Sequence, residues 1–194
     1  MKKIASLVFF FALALIVSGP IYAQAVPSTT NRQMGRENER ENFRSKLNSI
    51  RDEKKKAIVD RTDKRIVEIN LSRTNIMTRH IAKIEEVLNK IETRAIEVEK
   101  RGKDISAVRA AIVTARTAIA SAKSAVTAQA VKTYVINVTT EDSLGSAVSS
   151  TRTAFAKDLQ AAHQSVVTAR KSVRDVLTAL AKVVGEKLTN TTEK

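Results

Sequence analysis

The apolar positions of the chain fall into three long stripes separated by short interruptions. Met77, Ile81, Ile84, Leu88, Ile91, Ala95 and Val98 alternate steps of four and three. That spacing keeps one face of a helix apolar with the 3.5-residue period of coiled-coil packing. Ile105, Val108, Ile112, Ala115, Ile119, Ala122 and Val126 repeat it, as do Phe155, Leu159, Ala162, Val166, Ala169, Val173, Val176, Leu180 and Val183. The stripes predict helices over about 73–101, 105–133 and 141–184.

The interruptions carry turn chemistry. Lys100 and Arg101 suit the last turn of a helix, where cations meet the negative end of its dipole. Gly102 can take the left-handed cap, and Asp104 can N-cap the next helix. A stripe that stops and restarts around one glycine reads as an antiparallel hairpin. Thr133 to Thr140 is rich in β-branched residues and reads as an extended connector. Thr139 and Asp142 have the spacing of a capping box, with Thr140 a rival N-cap. Gly185 ends the last stripe, and 186–194 is a polar tail.

Upstream, nothing from Arg36 to Arg101 breaks a helix, yet 36–72 has no sustained stripe. Phe43, Leu47 and Ile50 start a seam that Lys54 and Arg61 interrupt. The second helix, about 29 residues or roughly 43 Å long, folded back from Gly102 covers the first only to about residue 72–75. The expected fold is therefore all-α: an extended antiparallel three-helix bundle or coiled coil over 73–185, with 36–72 projecting as a charged helical arm. Residues 26–35 are expected to form a flexible leader. Val87, Ile96, Val113, Val167 and Leu177 flank the stripes, so they must be buried or the chain must oligomerise.

The first 25 residues have a different character. Lys2 and Lys3 precede an apolar run from Ile4 to Val17, which as a helix is roughly 21 Å long. That falls short of the ~30 Å hydrocarbon core. Ser18-Gly19-Pro20 and the small residues Ala23 and Ala25 complete the pattern of a cleavable signal peptide over 1–25, with the mature chain starting at Val26. The expected location is outside the cytoplasm: periplasm, cell surface or medium, with no membrane span after cleavage. The sequence has no cysteine, so neither disulfides nor a lipid anchor on cysteine take part.

Charge widens the picture. The formal net charge is +14. Loss of Lys2 and Lys3 leaves +12, from 32 Lys and Arg against 20 Asp and Glu. Such a surplus attracts anionic polymers or acidic proteins through long-range fields. The densest cationic cluster, and the candidate polyanion-binding site, is Arg51, Lys54, Lys55, Lys56, Arg61, Lys64 and Arg65. It lacks interleaved aromatics for base stacking, and Asp52, Glu53, Asp60 and Asp63 interrupt it. Candidate catalytic and metal residues are none. His80 and His163 have no ligand partner at helical spacing and read as surface or seam-edge residues. No Gly-x-Ser-x-Gly elbow or phosphate-cradling glycine loop occurs. The chain is therefore expected not to be an enzyme, and to need no cofactor and no small-molecule substrate.

Two stretches carry a resemblance. Lys83 to Ile112 runs, after its Lys, IEEVLNKIETRAIEVEKRGKDISAVRAAI. Lys132 to Leu177 opens KTYVINVTTE and closes DLQAAHQSVVTARKSVRDVL. Together they resemble a loose group of signal-peptide-bearing helical coiled-coil proteins of candidate-phylum bacteria to which no activity is attached. The resemblance implies an exported coiled-coil protein and lends no site residues. The leading expectation is a structural or interaction module of the cell envelope or surface, working through protein partners or self-association. A periplasmic holdase-like chaperone is the first alternative, and a weak binder of DNA or anionic envelope polymer the second.

Overall fold

The computed structural model describes residues 29–185, which form four helices: α1 (Thr29–Asn48), α2 (Glu53–Lys100), α3 (Ser106–Ala130) and α4 (Leu144–Val184). Among the described residues there is no strand. The chain is an all-α extended bundle, in which α2, α3 and α4 pack on one another and α1 packs on α2. The three stripes bury as one core that includes Leu88, Ala95, Val108, Ala115, Ala122, Ala169 and Val176. Alanine dominates the deepest positions of α3 and α4, which lets their backbones approach closely.

The hairpin forms as its residues require. Gly102 has φ 80°; its N–H donates to Glu99 O at 2.8 Å, and Lys103 N–H donates to Val98 O at 3.4 Å. This is a Schellman motif, which satisfies carbonyls that the helix end would leave unpaired. The Asp104 carboxylate accepts from Ser106 N–H at 2.8 Å, although Ile105 rather than Asp104 is the N-cap residue. Gly185, at φ 82°, closes α4 by donating to Ala181 O at 2.9 Å.

Helix lengths explain the shape. α2 has 48 residues, α3 only 25 and α4 41, or roughly 72, 38 and 62 Å. α3 runs antiparallel to both neighbours, which lie parallel, and it ends level with Asn70 of α2, whose side chain meets Gln129. Below that level α2 and α4 have lost their third helix. The connector from Val131 to Ser143 takes its place, running from Gln129 beside Asn70 to Glu141 beside Arg51 and Asp52. Residues 51–70 of helix span about 28 Å, whereas another dozen helical residues would cover only about 18 Å. The connector must be extended, which its β-branched residues favour.

The arm departs from expectation in two ways. First, it is two helices rather than one. The chain turns at Ser49–Asp52, where Ser49 N–H and Ile50 N–H donate to Lys46 O and Leu47 O, each at 3.2 Å. Asp52 then N-caps α2, accepting from Lys54 N–H at 2.9 Å and Lys55 N–H at 3.1 Å. α1 begins at Thr29, so residues 29–35, expected as flexible leader, are helical. Secondly, the arm is covered: Phe43, Leu47, Ile50, Val59, Ile136, Val138 and Leu144 form a second buried cluster. Alternate connector residues Ile136 and Val138 supply the apolar surface that the arm itself lacks. At the base, the Glu141 carboxylate accepts from the backbone N–H groups of Arg51 and Asp52 and ties the connector to the turn. The capping box of Thr139 and Asp142 does not form, because Ser143 is the N-cap and its hydroxyl donates to Thr140 O. Residues 1–28 and 186–194, and with them the signal peptide, the start of the leader and the polar tail, lie outside the described residues.

Candidate functional site

The two long seams of α2 differ in chemistry. On the α3 side, Glu85, Glu92 and Glu99 fall seven apart and meet Lys123, Arg116 and Arg109, also seven apart on the antiparallel partner. Glu99 to Arg109 is 2.6 Å and Glu85 to Lys123 is 2.8 Å. The pairing holds the Arg109 guanidinium above its usual pKa, through the hydrogen bond it donates to Glu99 and then the charge of that carboxylate. These pairs are exposed and each contributes little stability. Their repeat nevertheless fixes register and leaves that seam neutral.

On the α4 side, no ion pair crosses the seam among the described residues. Two hollows open there. The lower one, about 900 Å³, is lined by Arg61 and Arg65 of α2 and Arg152 of α4 over a floor that includes Ile66, Ile69, Val148 and Phe155. The upper one, about 290 Å³, is lined by Lys83, Arg170 and Arg174 over Ile84, Val87, Val173 and Leu177. Neither wall contains a carboxylate. The two hollows are lined by the same two helices in parallel order, 61–69 of α2 with 145–156 of α4 and 83–91 with 170–177, so both lie along one α2–α4 seam.

The structure divides the candidate polyanion cluster. Lys64 is held by Asp60 at 2.7 Å, and Lys56 lies 3.8 Å from Glu53. Arg51 belongs to the α1–α2 turn, and Lys54 and Lys55 occupy the first turn of α2. Lys54, Arg61 and Arg65 project within about 40° of one another around the helix. Of these, Arg61 and Arg65 reach the lower hollow, while Arg65 also lies 3.9 Å from Glu68. Arg152, which joins them there, and Arg170 and Arg174, which join Lys83 in the upper hollow, come from a helix more than eighty residues away in sequence. Only knowledge that α2 and α4 run parallel would have brought them together.

A second polar site lies where α3 ends. The Gln129 amide donates to Asn70 Oδ1 and to Tyr134 Oη, each at 3.0 Å, while Asn70 Nδ2 donates to Gln129 O at 3.0 Å. The Tyr134 hydroxyl donates to Asp158 Oδ2 at 2.9 Å, and Lys132 reaches the same oxygen at 2.7 Å. Burial, together with the bond to Asp158, pushes the Tyr134 hydroxyl up to about 12. Hydrogen bonds from Lys132 and Tyr134 hold Asp158 below the usual carboxylate range. The Tyr134 ring packs edge-on to Phe155, with centroids 5.2 Å apart. Every buried side-chain polar atom among the described residues is satisfied, and this network ties the end of α3 to α2 and α4.

His80 and His163 are exposed, and no cluster of three metal-ligating side chains occurs among the described residues. No described helix is long and apolar enough to cross a membrane. No protein-family model, curated protein or solved structure matches the chain.

Proposed function

We propose that the protein is an exported, non-enzymatic interaction module of the cell envelope or surface that seats an anionic partner in the α2–α4 groove. The observation that carries this reading is the asymmetry of α2. Its α3 seam is closed by acid–base pairs at heptad spacing, whereas both hollows of its α4 seam are lined by cations without acids. Aligned cations with low-dielectric walls concentrate field in a cleft and raise the local concentration of anions. The flanking apolar residues add support: Val87, Ile96, Val113, Val167 and Leu177 all stay exposed in the single chain. Export rests on the basic, apolar and small-residue pattern of residues 1–25.

The groove reading is tested by titrating labelled polyglutamate and duplex DNA into the wild type and an Arg65→Glu/Arg152→Glu variant at several salt concentrations. Binding of polyglutamate that falls steeply with salt, and by about tenfold or more on charge reversal, is expected. Equal binding by both proteins would remove the groove from the reading. Sequencing the N-terminus of exported material tests the rest: the expected first residue is Val26, and a chain that starts at Met1 in the membrane fraction contradicts export by cleavage.

A further inference from the structure

We infer that the α2–α4 groove takes an acidic amphipathic helix of another protein, which lies along it as the fourth helix of the bundle. This deepens the reading above and rests on it. Length is the first ground. From Arg61 to Ile91 of α2 the two hollows span roughly 45 Å, the length of a helix of about 30 residues. A small anion or a single head group uses one hollow at most, so only an elongated ligand engages Arg65 and Arg174 together.

The chemistry of the walls is the second ground. Val87 and Leu177 are 47% and 41% exposed at the upper hollow, with Ile84 and Ile69 half-buried along the same seam. Apolar floor and cationic rim call for a ligand with an apolar stripe bordered by carboxylates. Two packed helices leave a furrow between them that a further helix fills by the same ridge-and-groove packing.

Period is the third ground. Val87 lines the groove on α2, and Arg73, His80 and Arg94 share its heptad position; on α4, Ala156, Arg170 and Leu177 line it and His163 shares theirs. A helix presenting its own heptads meets equivalent positions at each turn of the repeat. Recognition of this kind, an amphipathic helix laid into a groove, draws affinity from a few apolar anchors and register from the charges.

A second copy of this chain is a poor occupant, because its exported form at +12, from 32 Lys and Arg against 20 Asp and Glu, would bring more cations to a cationic groove. Single-stranded nucleic acid fits less well too, since the one aromatic lining either hollow, Phe155, is buried in the core and offers no stacking face.

The probe is a labelled peptide of about 30 residues, with leucine at the first and fourth positions of each heptad and glutamate flanking them. Its comparators are polyglutamate of the same charge and phosphatidylglycerol vesicles, all presented to the exported form of the chain. The peptide should bind more tightly than polyglutamate and gain helicity on binding. Val87→Ser/Leu177→Ser should weaken the peptide by about tenfold or more and polyglutamate by less than about twofold. Arg152→Glu/Arg170→Glu should weaken both. All four positions are exposed, so unchanged melting curves separate lost binding from lost fold. Equal affinity for peptide and polyglutamate, without helicity gain, overturns the helix while leaving an anionic groove. Vesicle binding without peptide binding overturns it in favour of a lipid surface. Binding of neither peptide nor polyglutamate overturns both readings.

Discussion

Asp63 of α2 sits half-buried beside Asp60, and burial pushes its pKa up, with Arg40 of α1 offsetting part of that and Asp60 adding to it. A carboxyl whose folded pKa is raised stabilises the fold when protonated, and that stability is lost as pH rises through the raised value. At neutral pH the burial of the charged Asp63 carboxylate therefore opposes folding, and the charge of Arg40 offsets part of that cost. Asp63→Asn is expected to raise the urea midpoint at pH 7, with an advantage over wild type that shrinks as pH falls below the ordinary Asp pKa. Paired urea titrations at pH 7 and below 4 check it; an advantage independent of pH would remove the charge from the explanation. The buried amides offer a second prediction at this scale. Gln129→Leu strands Asn70 Oδ1 and should cost about 1–3 kcal/mol. Adding Asn70→Leu should recover part of the loss, because Gln129 O keeps its bond from Lys132 N–H at 3.1 Å. Denaturant melts of the single and double variants decide it. Individual residues were legible in the sequence where their partners are local, as with Gly102, Gly185 and, displaced by one position, Asp104. Asn70, Gln129, Tyr134 and Glu141 were not, because each meets its main partner across a chain reversal that the side chain itself does not encode.

Heptads made the bundle helices legible, since a stripe depends only on spacing within its own element. The 141–184 expectation differs from α4 at its start because Ser143, not the Thr139 box, takes the cap. The break at Ser49–Asp52 escaped for the opposite reason. Phe43, Leu47 and Ile50 continue a helical seam; the local signal at Asp52, which caps α2, is reinforced by Ile136 and Val138, which cover the folded-back arm from a distant part of the chain. The connector was recognisable as extended from its β-branching, but its packing against α1 and α2 was not. These elements respond differently to damage. Ile112→Asp or Val173→Asp should destabilise the bundle by several kcal/mol through a buried unpaired charge. Ser121→Asp, on the exposed face of α3, should change little. Thermal melts that fail to separate the two kinds of variant would refute the heptad assignment.

At the scale of the molecule, two cores of unequal size share the continuous helices α2 and α4. The larger, from Met77 to Leu180, fastens three helices along the full length of α3. The smaller holds α1 and the connector to the lower ends of α2 and α4 through seven buried side chains, helped by Thr133 on Glu39 at 2.8 Å and by the Glu141 clamp. Stability is not uniform in such a molecule, and the part with fewer buried apolar contacts opens first. Amide exchange should therefore be slowest in 84–98, 105–126 and 159–180, intermediate in 53–70 of α2, and fastest in α1. Ile136→Asp sharpens the expectation, because Ile136 is almost wholly buried in the smaller core and absent from the larger. The variant should accelerate exchange in α1, the connector and 53–70, and leave the amides around Leu88, Ile119 and Val173 near their wild-type rates. Uniform acceleration along the chain would mean that the two cores unfold as one unit. In that case the lower and upper stations of the α2–α4 groove could not be loosened separately, and the lower station, walled by the parts of α2 and α4 that the smaller core supports, would be as rigid as the upper.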